Sequence, residues 1–319
     1  MASGGGGAGA AAPARKPFTW VVAVDGSKGS RATYEDLISL AHREDKVHVV
    51  TVAPLRDKAY LPHEEKPAAI KEYYEVRLAG KFAKDHHTVS IINKKDGEET
   101  AHALLAWIDA KHADADFIVV GFVGRKGQKA DGSVFGSVTD MSLRAAHRPS
   151  VISKNAAASE VNSFFVAVDG SDRAHQGVEI ALRLMKPGDR TTVLHVDDPT
   201  DKKGGAGRFA PEAVEARYAA FIADHPQCVF RCAVRTGDQG VADVICAAAE
   251  DSATHIIVGV DGLGSVAEGK KTAEAHLGSV SDRVVRTSAC TVIAIQSKGS
   301  TFVDGKSLTD GTGGGGGGR

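Results

Sequence analysis

Two halves of this 319-residue chain open on nearly the same phrase. Val21–Ser27 reads VVAVDGS and Phe165–Ser171 reads FVAVDGS, each a short apolar run ending in Asp-Gly-Ser. The halves also close alike, on Gly-Ser-Val-Thr-Asp at Gly136–Asp140 and Gly-Ser-Val-Ser-Asp at Gly278–Asp282. A repeat about half the chain long is a whole domain written twice, not a solenoid unit.

The elements between those phrases alternate. In the first half, strands are expected at Thr19–Gly26, Lys46–Ala53, Thr88–Ile92, Asp116–Gly121 and Ser150–Ser153. Helices are expected at Ser30–Arg43, Pro67–Lys84, Thr100–Lys111 and Gly136–Ala146, the first with Tyr34, Leu37, Ile38 and Ala41 at helical spacing. The second half repeats the order, with strands at Ser163–Asp169, Thr191–Val196, Val229–Val234, His255–Gly259 and Thr291–Ile295. Its helices are expected at Ala174–Met185, Pro211–Ile222, Gly240–Asp251 and Gly278–Thr287. Continuous apolar strands alternating with helices imply parallel sheets covered on both faces. The expected organisation is a Gly/Ala-rich tail at 1–16, a domain at 17–154, a linker at 155–161, a second domain at 162–298 and a Gly-rich tail at 299–319.

Composition excludes several classes of function. A net charge of -1 leaves no electrostatic footprint for nucleic acid or an anionic membrane. No apolar stretch approaches the roughly 20 residues that span a bilayer, and the first residues lack the apolar core of a secretion signal. The four cysteines, Cys228, Cys232, Cys246 and Cys290, form no disulfide framework and fit a reduced, cytoplasmic setting. Cys228 and Cys232 bracket a strand and could share a face. No second pair stands at zinc-site spacing, so buried, inert thiols are the preferred reading.

Ligands of open parallel sheets sit beyond the C-terminal ends of the strands. Three pieces converge there in each half: the Asp-Gly-Ser turn, the tip of strand two, and the glycine loop joining strand four to the last helix. Gly121-x-x-Gly124 and Gly136-Ser137 frame that loop in the first half, and Gly259-x-x-Gly262 and Gly278-Ser279 in the second. Glycines let backbone N–H groups approach an anion, and a helix start supplies unpaired donors. The alternative is plain structure, with Ser137 and Ser279 as N-caps and the glycines as turns. Asp25 and Asp169 likewise have two readings: a carboxylate that accepts from an adenine amino group, or an Asx motif tying its own turn.

These phrases together resemble the universal stress protein family in tandem, over nearly everything from Phe18 to Gln296. The carriers are VAVDGS before an amphipathic helix, Leu194-His195-Val196-Asp197 at the end of strand two, and a strand-four glycine loop closing on Gly-Ser-Val. The resemblance implies an α/β chain of two doubly wound domains, each a five-stranded parallel sheet of order 3-2-1-4-5. It implies ATP, with or without Mg2+, as the ligand. The site residues it implies are Asp25, Val52, Gly121, Gly124, Gly136, Ser137 and Val138, then Asp169, Val196, Gly259, Gly262, Gly278, Ser279 and Val280. It also implies pairing through the fifth strands, either within the chain as a pseudo-dimer or between chains as a homodimer.

The glycine loops depart from the family's Gly-x2-Gly-x9-Gly-Ser/Thr pattern. Eleven residues separate Gly124 from Gly136, and fifteen separate Gly262 from Gly278. The shorter insertion makes the first domain the better candidate for binding. Lys270 and Lys271, in the longer one, are read as a solvated loop tip. GSVAEGKKT at Gly264–Thr272 falls short of a phosphate-binding loop, since Lys271 stands where a hydroxyl belongs. Gly262–Ala267 matches a dinucleotide pattern only loosely and follows the wrong strand. Ser133, in Gly132–Gly136, lacks the preceding strand a nucleophile elbow requires. No catalytic set emerges. The expectation is a cytoplasmic, adenine-nucleotide-binding stress-response protein without an enzymatic role; the rival is a nucleotide-free protein-interaction module of the same fold.

Overall fold

The computed structural model describes residues 15–55, 61–124, 136–154, 159–199, 210–260 and 277–296. The first half runs β1 (Thr19–Ala23), α1 (Lys28–Leu40), β2 (Lys46–Ala53), α2 (Pro67–Ala79), β3 (His87–Asn93), α3 (Thr100–Lys111), β4 (Phe117–Gly121), α4 (Ser137–Ala145) and β5 (Ser150–Ser153). The second runs β6 (Ser163–Val168), α5 (Asp172–Leu184), β7 (Arg190–Asp197), α6 (Pro211–Ala223), β8 (Cys228–Val234), α7 (Val241–Ala249), β9 (His255–Gly259), α8 (Ser279–Thr287) and β10 (Thr291–Ile295). Several boundaries differ from the sequence expectation, two of them for plain local reasons. Helix α1 begins earlier because Ser27 caps it, and α2 stops at Ala79 before Gly80. His86 and His87, just beyond Lys84, straddle a 3-10 turn and the start of β3.

All ten strands form one sheet, in the order β3-β2-β1-β4-β5-β10-β9-β6-β7-β8. Each half therefore has the order 3-2-1-4-5, parallel throughout. The halves meet in an antiparallel pair, with Val151 opposite Ile293. Those two residues are structural equivalents: Val151 is in register with Val119 on β4, and Ile293 with Ile257 at the same place on β9. A local pseudo-twofold axis thus passes through the seam. Of the two pairings expected, the fifth strands take the intramolecular one, and both edges of β5 are used.

One apolar layer carries α1, α2, α5 and α6, and the opposite layer carries α3, α4, α7 and α8. Both layers run unbroken across the seam. Polar contacts repeat the pseudo-symmetry. Lys154, just past β5, donates to the carbonyls of Arg286 (3.0 Å) and Ser288 (2.7 Å) at the end of α8. Gln296, just past β10, donates to Ser142 (2.6 Å) and Leu143 (3.2 Å) in α4. Burial holds the Lys154 ammonium down to about 8.

A buried aspartate anchors the start of each half. Asp45 accepts from Phe18 N–H (2.8 Å), Trp20 Nε1 (3.0 Å) and His42 N–H (3.0 Å). Asp189 accepts from Asn162 N–H (2.7 Å), Asn162 Nδ2 (3.2 Å) and Lys186 N–H (2.8 Å). The thiols are mixed: Cys228 and Cys290 are buried as expected, but Cys232 is exposed on the edge strand β8 and Cys246 is half-buried. The edge strand β8 is poorly covered, with Val229 and Val234 exposed as well. Among the described residues no helix is long and apolar enough to cross a membrane.

Two predictions follow the buried carboxyls. Asp45→Ala strands three N–H donors, each worth about 1–3 kcal/mol when left unpaired in the interior. Urea denaturation of the variant is expected to show a loss of at least about 3 kcal/mol. Asp36, buried at the seam, accepts from Thr291 Oγ1 at 2.7 Å, and burial raises its pKa from 3.8. From pH 3.8 upward to the raised value, the folded chain holds a proton that the unfolded chain releases, so this residue makes stability fall as pH rises. Asp36→Asn keeps an acceptor for Thr291 and removes that slope. Thermal melts of both proteins across this range are expected to diverge in the variant's favour as pH increases.

Candidate functional site

The β1–α1 turn is built alike in both halves. Asp25 Oδ1 accepts from Ser27 N–H at 3.0 Å, and Ser27 Oγ caps α1 through Ser30 N–H at 3.2 Å. Asp169 Oδ1 accepts from Ser171 N–H at 3.0 Å, and Ser171 Oγ caps α5 through Ala174 N–H at 3.1 Å. The aspartates therefore do tie their own turns. Gly26 has φ +80°, and a Cβ there would stand 2.6 Å from the Glu64 carbonyl oxygen. The short turn His63–Glu65 thus seats on the bare Cα of Gly26.

Register sets the next residue. Ala23 pairs with Val50, so continuing the ladder past the end of β1 carries Asp25 beside Val52. Val168 pairs with His195, which carries Asp169 beside Val196. Both valines are partly buried against the α3/α7 layer.

The glycine loop closes at its neck. Gly136 N–H donates to the Phe122 carbonyl at 3.0 Å, and Thr139 Oγ1 donates to the Gly121 carbonyl at 2.7 Å. A Cβ on Gly136 would stand 3.5 Å from Gly124 N, and one on Gly124 3.5 Å from Asp25 Oδ2. Gly124, Gly136 and Asp25, from three separate stretches, therefore converge. The second half repeats the neck, with Gly278 N–H on the Val260 carbonyl at 2.7 Å and Ser281 Oγ on the same oxygen at 3.0 Å. Sequence reasoning passed over Thr139 and Ser281, although the repeated Val-Thr/Ser-Asp phrase marks them.

The N-cap reading of Ser137 and Ser279 is corrected. Gly136 and Gly278 are the N-caps, neither helix has a side-chain cap, and both serines are exposed in the first turn. A glycine cap offers no side chain to the first N–H groups of α4 and α8, and a serine stands at the first helical position of each. Val138 is partly buried and Val280 more exposed. Gly262, Lys270, Lys271, Ser133 and both loop look-alikes lie outside the described residues. Among the described residues no group of three or more His, Cys, Asp or Glu is placed to hold a metal ion. A groove of about 430 Å³ lined by Arg31, His63, Tyr73, Tyr74 and Arg77 touches the strand-one turn at Gly26 and none of the other expected site residues.

A doubly wound sheet with paired strand-tip turns and glycine-capped closing helices is repeated in the two halves, so the chain is a tandem α/β protein. The universal stress protein family model matches residues 19–154 and again 161–296, and the chain belongs to that family. No curated protein sequence matches it. Among solved structures, a putative universal stress protein from Pseudomonas aeruginosa UCBPP-PA14 is 14% identical with a TM-score of 0.61, covering 88% of this chain and 94% of its own. A universal stress protein from Archaeoglobus fulgidus DSM 4304 is 20% identical with a TM-score of 0.57, covering 88% and 96%. The cytoplasmic domain of a prokaryotic cation chloride cotransporter is 11% identical with a TM-score of 0.50, covering 88% and 95%. These likenesses show the shared fold.

Gly26 gives a direct test of the turn. Gly97 also has positive φ (+74°) but nothing within 4 Å of an added Cβ. Gly97→Ala is expected to cost about 1–2 kcal/mol of left-handed strain. Gly26→Ala adds a backbone clash and is expected to cost at least about 1 kcal/mol more, read by parallel denaturant melts.

Proposed function

We propose that this tandem universal stress protein binds an adenine nucleotide, ATP with or without Mg2+, in at least its first half. Binding, without turnover, is its role in a cytoplasmic stress response. The carrying observation is the convergence of Gly124, Gly136 and Asp25 at the tips of β1 and β4. Phosphates are assigned to the backbone N–H groups of Gly124, Ser137 and Val138, with the Ser137 hydroxyl as a further donor. The adenosine end is assigned to Asp25 and Val52, with Gly121 and Gly136 giving the close backbone approach. Asp169, Val196, Gly259, Gly262, Gly278, Ser279 and Val280 are the matching assignments in the second half. A cytoplasmic setting fits four cysteines that form no disulfide.

One observation favours the rival, a nucleotide-free interaction module. Each strand-tip aspartate already accepts from its own turn. Equilibrium dialysis with labelled ATP and Mg2+ separates the two readings. Wild-type protein is expected to retain label, and Gly124→Val combined with Ser137→Ala to lose it by at least tenfold in affinity, about 1.4 kcal/mol. Equal retention by both proteins removes the assigned cradle, and no retention by either supports the interaction module.

A further inference from the structure

Among the described residues the sheet ends on two free edges, β3 and β8, and they are not alike. On β3 only Thr88 and Asn93 are exposed. On β8 the exposed residues are Val229, Arg231, Cys232 and Val234, the two valines at 47% and 55%. Two bonds fix which way the β8 backbone faces. The Gln227 carbonyl accepts from Thr191 N–H at 3.1 Å, and Arg235 N–H donates to the Asp197 carbonyl at 2.8 Å, so both residues face β7. With a period of two, Phe230, Cys232 and Val234 turn their N–H and C=O groups to the free edge. Such a row is a template for a further strand.

Charge selects the strand. Partial burial, then the carboxylates of Asp197, Glu212 and Glu215, raise the Cys232 thiol. The end of β7 and the first turns of α6 thus gather three anions beside the edge. Cations on the adjoining stretches are engaged elsewhere, Arg217 with Asp172 and Arg235 with Asp198. The pseudo-symmetric positions in the first half are Ala53, Ala68 and Lys71, so the fold itself does not require these acids. The two sides of the edge also differ. Cys232 is in register with His195 and, like Phe230, lies on the α6 side, whereas Val229 and Arg231 alternate with them on the α7 side with Ala233. A second copy of β8 paired antiparallel would bring Glu212 and Glu215 of both chains to one side, like charge against like.

We infer that the β8 edge takes an extended segment of a partner protein as a further strand, with basic side chains toward α6 alternating with apolar ones toward Val229. Main-chain bonds supply the grip and the alternation supplies the selectivity. The surface shares no residue with the assigned nucleotide cradle.

A fluorescein-labelled heptapeptide alternating Lys and Val is the probe, followed by anisotropy with the full chain. Wild type is expected to bind it at least about tenfold more tightly than the same peptide with Glu for Lys. Glu212→Ala combined with Glu215→Lys installs the first half's residues at exposed helix positions, and is expected to lose at least about tenfold in affinity. N-methylation of one alternate set of peptide amides, Lys or Val, is expected to abolish binding, and of the other set to spare it. Bound peptide is expected to slow alkylation of Cys232 by iodoacetamide, read by mass spectrometry, and to leave half-buried Cys246 unchanged. Binding that methylation of neither set weakens, or that leaves Cys232 alkylation unchanged, overturns strand addition at β8. Equal affinity for the Glu peptide, or full affinity in the double variant, overturns the basic partner. No binding of the probe, with a concentration-dependent dimer in sedimentation, gives the edge to a second copy and overturns the inference.

Discussion

The antiparallel pairing of β5 with β10 is the constraint on which the rest of the molecule depends. Each half alone would end in an exposed strand edge, a row of unpaired N–H and C=O groups that invites another chain. The seam satisfies both rows at once. Because Val151 lies opposite its own equivalent Ile293, the two helical layers meet in register and form two continuous apolar layers. The polar exchange of Lys154 and Gln296 follows from the same symmetry. Each side chain leaves its fifth strand where the carbonyl end of the other half's closing helix comes within reach. A cation at a helix C-terminus also meets the negative end of the dipole. The closing helices α4 and α8, which carry the candidate anion donors at their other ends, are thereby fixed from behind.

Much of this fold was legible because its signals are local. Thr100–Lys111, Ser150–Ser153, His255–Gly259 and Thr291–Ile295 fall where apolar periodicity puts them, bounded by turn residues. Two helix starts instead depend on single hydrogen bonds. Ser27 and Ser171 cap helices that periodicity alone would start two residues later. Ser137 and Ser279 look like caps and are not, since glycine holds that position with extended backbone and the serine joins the first turn. The anchors Asp45 and Asp189 carried no periodic signal, although each directly precedes the basic residue that opens strand two. Their partners lie 25 to 27 residues away in Phe18, Trp20 and Asn162, a distance that only the fold closes.

The candidate site divides the same way. Which turns and loops meet was readable from the parallel-sheet rule, and the structure brings Asp25, Gly124 and Gly136 together. What fills the space between them was not readable. A glycine at 29 and an arginine at 173 look alike as surface positions of a first helical turn. The strand-four tip is packed in both halves, by Thr33 Oγ1 and the Val123 carbonyl over Gly121 and by the Arg173 stem over Gly259.

That difference is one of several that the pseudo-symmetry tolerates. Trp20 stacked on Phe117 at 4.3 Å becomes Phe164 stacked on His255 at 5.2 Å, and burial drives the His255 imidazole down to about 3. Buried Thr51 becomes His195, and Thr33 becomes Gly177, where a Cβ would press on Ile257 and Val166 at 3.2 Å. In a dimer of identical chains, any such substitution enters both sites together and is judged by its worse effect. Joining the halves in one chain, with the shared edge saturated internally, removes that coupling. The seam asks each half to keep its fifth strand, its closing helix and its apolar layers. It asks nothing of the first turn after Asp-Gly-Ser, which lies at the far end of β1 and β6 from the aspartate anchors. A tandem chain of this build can therefore let its halves diverge around the strand tips with no loss of the sheet that supports both.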